Sequence, residues 1–191
     1  MKTRLTAPEL VTLASMLFGL FFGAGNLIFP LILGDYEPWA GTVHVWGVDA
    51  ARLAPHARRR FVGHVDQAFR AVPGTVADQI TLGDPGISRE EMAQAAQLAG
   101  VGGALEALPQ GYDTPYAEGL LSQGQTQLLS IARAVAANPK LLLLDEITAN
   151  LDSGTERQVM EALRRASQNR AVLSISHRLY EQSGQGRIVQ I

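Results

Sequence analysis

The stretch PKLLLLDEITANLD, residues 139–152, decides the fold of this chain. Its four consecutive leucines stand between a proline–lysine pair and the acidic pair Asp145–Glu146. A short apolar run without polar alternation is typical of a strand that is buried on both faces, as strands of a parallel sheet are. The stretch therefore predicts a fully buried strand that ends in two carboxylates.

The segment before this strand predicts a helix. Residues 121–138 place Leu128, Ile131 and Val135 at helical intervals, and Pro139 follows. Because the residue before a proline avoids the helical conformation, the helix should end there.

The segments after the strand complete the order of an α/β domain. Residues 155–166 predict a helix, and AVLSIS (171–176) predicts a second buried strand. Strand, helix and strand in this order predict an α/β fold with a parallel sheet, whose chemistry lies at the carboxyl ends of its strands. Asp145, Glu146 and His177 stand at such ends.

Three further elements are expected upstream. Residues 35–47 predict a short strand or hairpin arm, and residues 61–65 a second short strand. Residues 88–107 have helical spacing, and Ser88 with Glu91 three positions later predicts a capping box at the start of that helix.

Composition excludes several classes of protein. Hydrophobic residues make up 47% of the 191 residues and charged residues 18%, so a packed core is expected rather than disorder. Without cysteine the chain has no disulfide, thiolate metal site or cysteine nucleophile. A net charge of -2 gives no overall attraction to nucleic acid. The run Arg58, Arg59, Arg60 is typical of a solvated surface, with phosphate contact as the alternative.

One segment differs sharply from the rest. Residues 10–33 are 24 residues without a charge, and crossing the bilayer core takes roughly 20 apolar residues. The segment predicts a transmembrane helix, with a buried core helix as the alternative. Gly23, Gly25, Asn26 and Pro30 would interrupt a regular helix.

Five motifs follow one another in a recognisable order. They are Gln67, LSQGQ (121–125), LLLLDE (141–146), ANLD (149–152) and SH (176–177). This order resembles the nucleotide-binding domain of an ABC transporter. GTVADQI (74–80) and LPQGYDT (108–114) resemble the helical-subdomain phrases of multidrug or lipid exporters in that family. The resemblance covers about residues 31–191.

The resemblance implies a role in ATP and Mg²⁺ chemistry for four residues. Asp145 resembles the Walker B aspartate that holds Mg²⁺ through its hydration shell, and Glu146 the general base that polarises the attacking water. Gln67 resembles the glutamine that touches metal and water and couples the site to a membrane partner. His177 resembles the switch histidine that contacts the γ-phosphate.

The resemblance also implies a partner. LSQGQ starts a helix, so Ser122, Gln123, Gly124 and Gln125 form an anion site at its free N–H groups. In the family this signature faces the ATP that the opposite subunit holds, and Gln123 replaces the more usual glycine. Asp152 resembles the residue of the D-loop, a segment that crosses the dimer interface. The expected partner is an ABC transporter subunit or an intact nucleotide-binding domain.

The family's phosphate loop is missing from its expected place. That loop ends in Gly-Lys-Ser/Thr, with the lysine on the β/γ oxygens and the hydroxyl on Mg²⁺. Here the place reads GAGNLIFP (23–30), and no lysine stands between Lys2 and Lys140. Asn26 supplies neither the positive charge nor the hydroxyl. The chain is therefore expected to lack ATP hydrolysis of its own.

The first residues resemble a different family. MLFGLFFGAGNLIFP (16–30) resembles the first membrane segment of a bacterial branched-chain amino acid carrier of the Na⁺-coupled LIVCS type. In related transporters a broken first helix coordinates Na⁺ and substrate. The resemblance implies a seam between about Asn26 and Gly34.

The predicted fold is a truncated, P-loop NTPase-like α/β parallel sheet with a helical subdomain, preceded by one apolar helix. Its parts are an apolar segment (1–34) and a truncated ABC nucleotide-binding domain (35–191), with the helical subdomain at about 68–125. Lys2 and Arg4 favour a cytoplasmic N-terminus. A single span would put the domain outside the cell, whereas a hairpin or interfacial helix would keep both ends inside.

Three functions are open. The first is an ABC transporter ATP-binding chain of the export type without ATP hydrolysis, at the inner membrane with its soluble domain in the cytoplasm. The second is a non-hydrolysing half-site partner that supplies LSQGQ to an intact subunit. The third is a fragment of a branched-chain amino acid carrier.

Overall fold

The computed structural model of the protein describes residues 44–45, 48–49, 52, 54–66, 68–145, 147 and 151–175. The chain divides into two compact units, residues 1–54 with 175–191, and residues 55–174. The apolar segment 10–33 and the seam lie outside the described residues. In the ranges that are described, no helix has both the length and the apolar character needed to cross a membrane.

The described elements alternate short strands with helices. Along the chain they are β1 (His44–Val45), β2 (Val48–Asp49), α1 (Pro55–Arg58), β3 (Val62–Val65), α2 (Val76–Thr81), α3 (Arg89–Ala99), α4 (Gly102–Glu106), a 3-10 turn (Gly111–Asp113), α5 (Gln123–Val135), β4 (Leu141–Asp145), α6 (Ser153–Ala166) and β5 (Ala171–Ile175).

The first two strands form a small hairpin. β1 and β2 are antiparallel, and Val45 stands opposite Val48. This confirms the hairpin arm expected in residues 35–47.

The larger sheet has the strand order β3-β4-β5. β3 and β4 are parallel, with Val62 opposite Leu141 and Val65 opposite Leu144. Leu142 and Leu143 are 1% and 0% exposed. The predicted buried strand of a parallel sheet is confirmed.

The predicted burial of the last strand is wrong. β5 forms as expected, but Val172 is 42% exposed, Leu173 is half-buried and Ser174 is exposed. β5 stands at one end of the described strand order, next to β4 only. A strand with one described neighbour needs less apolar cover than β4, which is paired on both sides.

The helix expected over residues 88–107 is two helices. Ser88 and Glu91 do form a capping box at the start of α3. The helix ends at Gly100, whose φ of 81° lies in the left-handed region that glycine adopts without strain. The chain then turns through Val101 into α4.

The core of the larger unit is built around α5. This helix packs against α2, α3, α6 and β3, and Leu129, Ile131 and Ala132 on it are fully buried. Gly63 on β3 allows the closest approach, because a Cβ atom there would lie 2.3 Å from the carbonyl oxygen of Ala134. The strand and the helix therefore meet backbone to backbone.

The run of three arginines is only partly a solvated surface. Arg60 is exposed, as expected, but the side chain of Arg59 is only 20% exposed. Arg59 turns inward and donates hydrogen bonds to the backbone carbonyls of Ile80 and Thr81 at the end of α2. Arg59 is therefore a structural residue.

The contact at Gly63 predicts a large effect of a single methyl group. Gly63→Ala should lower the free energy of unfolding by about 1–3 kcal/mol, because the new Cβ overlaps with backbone that cannot move without displacing α5. Urea denaturation followed by circular dichroism measures the change.

Gly103→Ala is the matched control. A Cβ atom at Gly103 meets nothing within 4 Å, so this change should be neutral or stabilising by about 0.4–1 kcal/mol. Equal stability of the two variants would show that the backbone contact between β3 and α5 imposes no constraint.

Candidate functional site

The predicted catalytic residues are only partly described. Asp145 is the last residue of β4 and is half-buried. β3 and β4 are parallel and Val65 pairs with Leu144, so both strands end at the same edge of the sheet. Gln67, Glu146 and His177 lie outside the described residues. Their roles, like that of Asp145, stay predictions.

The start of α5 is closed by a capping box. The backbone N–H of Gln125 donates to the Ser122 hydroxyl at 3.2 Å, and the backbone N–H of Ser122 donates to Gln125 Oε1 at 2.9 Å. Ser122 and Gln123 are exposed. Gln123, at the place where the family resemblance leads one to expect glycine, occupies the first position of a regular helix.

Four described helices begin with a side-chain cap, and their charges differ. α2 has Asp78 in its first turn, α3 has Glu90 and Glu91, and α6 is capped by Asp152. The first turn of α5 holds no acidic residue. A carboxylate offsets the partial positive charge of a helix N-terminus. Of these four helix starts, that of α5 is therefore the one best suited to an external anion.

The start of α5 touches the start of α6. A Cβ atom on Gly124 would lie 2.6 Å from Cγ2 of Thr155. Any larger residue at position 124 would therefore displace the Thr155 side chain. This contact brings the LSQGQ residues and the first turn of α6 together in one surface.

Asp152 has a structural task at this surface. Its Oδ1 accepts hydrogen bonds from the backbone N–H groups of Gly154 at 2.9 Å and Thr155 at 3.1 Å. Hydrogen bonds from Thr155, followed by that from Gly154, lower the pKa of the Asp152 carboxyl. Asp152 caps α6 and is also exposed. Its predicted role at a dimer interface stays a prediction.

Among the described residues, those at the start of α5 suit the phosphate groups of a nucleotide. A phosphate group suits the N–H groups of Gln123 and Gly124, for which the described part of the chain supplies no acceptor. No three His, Asp or Glu side chains of the described ranges are grouped as metal ligands. Asp145 alone suits Mg²⁺, which binds through one or two carboxylates, water and phosphate oxygens. GAGNLIFP (23–30) contains no lysine or arginine, and it lies outside the described residues.

No motif in the sequence points to Thr155. Its role depends on a contact with Gly124, 31 positions earlier in the chain, and no local pattern indicates it. The nearest signal in the sequence is Asp152, a favourable residue for the start of a helix, which locates the first turn of α6 but not its neighbour.

Comparison with known proteins identifies the family of this site. The family model described as ABC transporter matches residues 23–149. The match starts before residue 31, so it includes GAGNLIFP as well as LSQGQ and LLLLDE.

Individual relatives agree with this match. YfiC, an ABC transporter ATP-binding protein of Bacillus subtilis, is 40% identical over 160 residues, which are 82% of this chain and 26% of that protein. An ATM1-type heavy metal exporter of Novosphingobium aromaticivorans is 38% identical over 160 residues, again 82% and 26%. The structure of a bacterial Atm1-family ABC exporter with ATP bound matches with a TM-score of 0.66 at 36% identity, over 81% of this chain and 27% of that one. The chain thus spans about a quarter of the length of these relatives.

The contact between Gly124 and Thr155 is testable by a double-mutant cycle. Gly124→Ala adds the Cβ atom that meets Cγ2 of Thr155, and Thr155→Ser removes that methyl group. We expect a coupling of about 1 kcal/mol in the free energy of unfolding, because the second change relieves the overlap that the first creates. Urea denaturation of the two single variants and the double variant gives the coupling.

Gly103→Ala combined with Thr155→Ser is the control pair. Gly103 has no neighbour that its new methyl group would meet, so its effect should add to that of Thr155→Ser within about 0.5 kcal/mol. The same additivity for Gly124→Ala would show that α5 and α6 are not in contact at this point.

Proposed function

This chain belongs to the ABC transporter family, and on that premise we propose that it supplies its signature helix α5 to ATP held by a second ATP-binding domain, without hydrolysing ATP itself. The proposed setting is a transporter of the export type. The single observation that carries the proposal is the start of α5, which is exposed, capped by an uncharged serine and without a carboxylate in its first turn.

The phosphate groups of ATP would meet three polar groups there. The backbone N–H groups of Gln123 and Gly124 point out of the helix start, as the first N–H groups of any helix do. The Ser122 hydroxyl accepts from Gln125, which leaves its O–H free to donate to a phosphate oxygen. The contact of Gly124 with Thr155 keeps this surface fixed.

The lack of hydrolysis is proposed from the residues at the phosphate loop. GAGNLIFP offers backbone N–H groups but neither a lysine for the β/γ oxygens nor a hydroxyl for Mg²⁺. Asp145, Glu146, Gln67 and His177 would retain the family's positions for metal, base, coupling and γ-phosphate contacts. Without a bound phosphate group in this chain's own site, these four residues have no ligand to act on.

The names of the relatives support a proposed partner and location. Two of the matched proteins are exporters by name, and an exporter couples ATP to passage through a membrane domain. We propose an intact ATP-binding domain as the partner, at the cytoplasmic face of the inner membrane. Asp152, exposed at the start of α6, is proposed to face that partner.

Turnover by a mixed pair of domains tests the proposal. The second domain is an intact ABC ATP-binding domain that retains its phosphate loop but carries arginine in place of its own signature serine. The full 191-residue chain should show no ATP turnover alone and should restore turnover to that domain. Ser122→Arg should abolish the restoration, because the arginine side chain fills the space next to the helix start.

Ser88→Arg is the matched control, since Ser88 caps α3 by an equivalent capping box. Both changes should cost about 1 kcal/mol of stability, but only Ser122→Arg should remove turnover. Restoration that survives Ser122→Arg would refute the proposed role of α5. ATP turnover by the chain alone would refute the proposed lack of hydrolysis.

We also propose that residues 1–34 are a separate apolar segment derived from a carrier, held in the membrane as a hairpin or at its interface so that the domain stays in the cytoplasm. The support is the 24-residue run without charge and the resemblance of residues 16–30. Expression from the native gene should give a protein with a chymotryptic peptide that spans residues 26–34. Separate peptides of the two parent families, with none across the junction, would refute the fusion.

A further inference from the structure

Arg133, near the end of α5, is a half-buried cation that the proposed function does not use. Its Nε donates to the backbone carbonyl of Gln79 at 2.5 Å, and its Nη1 donates to the backbone carbonyl of Arg70 at 2.8 Å. Its guanidinium lies 4.1 Å from the centre of the Phe69 ring. One side chain of α5 therefore holds both α2 and the segment 69–72.

Gln79 connects the same two parts. It is fully buried, and its side chain accepts from the backbone N–H of Val72 at 2.9 Å and donates to the carbonyl of Val72 at 2.7 Å. Nη2 of Arg133 reaches Gln79 Oε1 at 3.3 Å. The segment is thus bonded to Gln79 by both backbone groups of Val72, and Gln79 is bonded to α5.

Arg59 also connects α2 with α5. Its Nη2 donates to the backbone carbonyl of Arg133 at 3.2 Å as well as to α2. The two arginines are charged neighbours, and burial followed by the charge of Arg59 lowers the pKa of Arg133 to about 10. Arg133 therefore keeps its charge at neutral pH, with that charge directed at carbonyl oxygens and an aromatic ring.

These contacts lie between the sheet edge that carries Asp145 and the helix that carries Ser122. The segment 69–72 lies shortly after the carboxyl end of β3, which is the edge where Asp145 ends β4. Arg133 is 11 residues from Ser122, or about 16 Å along the helix axis. A helix is stiff over that length, so whatever fixes Arg133 also fixes the direction of the helix start.

We propose that Arg133 is a positioning residue that holds the segment 69–72 against α5 and so keeps Ser122 in register with the sheet edge. The inference rests on the proposed function, because it assigns Arg133 to the same nucleotide-facing helix. In the described part of the chain, the side-chain hydrogen bonds of Arg133 go to Gln79 and Arg70 rather than to a predicted site residue, and it acts through the helix and the segment.

Arg133→Met tests the inference, since it keeps the length of the side chain and removes its three hydrogen bonds. Hydrogen exchange of the Val72 amide should rise about tenfold as the segment loosens. In the mixed-pair turnover assay, kcat should fall about tenfold, while KM for ATP should stay within about twofold because the start of α5 is intact. Arg133→Lys should recover the charge but not the Val72 protection, since an ammonium group cannot span the carbonyl oxygens as a guanidinium does.

Arg170→Met is the matched control. Arg170 also donates to two backbone carbonyls, those of Pro139 and Ala166, and to Oδ1 of Asn138, far along the chain from the segment. Both arginine-to-methionine variants should melt at a lower temperature than the unmodified chain. In Arg170→Met, however, the hydrogen exchange of the Val72 amide and kcat should equal those of the unmodified chain. If Arg133→Met does not fold, Phe69→Leu replaces it, because that change removes the ring beneath the guanidinium, together with its contact with the Tyr116 ring, and keeps Arg133.

The outcomes separate the two proposals. Equal Val72 exchange and equal kcat in Arg133→Met and Arg170→Met would overturn the positioning role. Failure of the unmodified chain to restore turnover would refute the proposed function, and Val72 exchange would then decide whether Arg133 holds the segment.

Discussion

The backbone of α5 lies so close to β3 that no side chain fits between them at Gly63, where a Cβ atom would overlap with the carbonyl oxygen of Ala134. α5 also packs against α2, α3 and α6, so this contact sets how the helices sit on the sheet. β4 pairs with β3 and is placed by the same contact. The positions of Asp145 at the end of β4 and Ser122 at the start of α5 both depend on it.

The two ends of α5 differ in charge. Its N-terminus is left without a carboxylate, whereas α2, α3 and α6 each carry at least one at their start. Near its other end the helix carries Arg133, which donates to backbone and amide oxygens. One end has no carboxylate in its first turn, and the other is bonded to the rest of the protein. A helix held in this way can present a binding surface without moving when a ligand arrives.

The family match and the phosphate loop give this chain an unusual combination. The family resemblance implies two complementary surfaces for each ATP, a phosphate loop on one domain and a signature on the other. The matched region contains LSQGQ and LLLLDE, but at the place of the loop it reads GAGNLIFP. The proposed loss of the loop would leave the signature surface in place, because that surface consists of the start of α5 and its contact with Thr155. The proposed function, supplying this surface to a partner, depends on these residues alone.

The sequence alone determined the elements whose signals are local. The leucine run fixed β4, the helical spacing fixed α5, and the capping box of Ser88 and Glu91 fixed the start of α3, because each depends on neighbours within one or two turns. Only the tertiary structure decided the exposure of β5, the inward turn of Arg59 and the contacts of Arg133. Arg133 bonds to residues 54 and 63 positions away. Such partners are chosen by packing in three dimensions, and residue spacing along the chain carries no record of them.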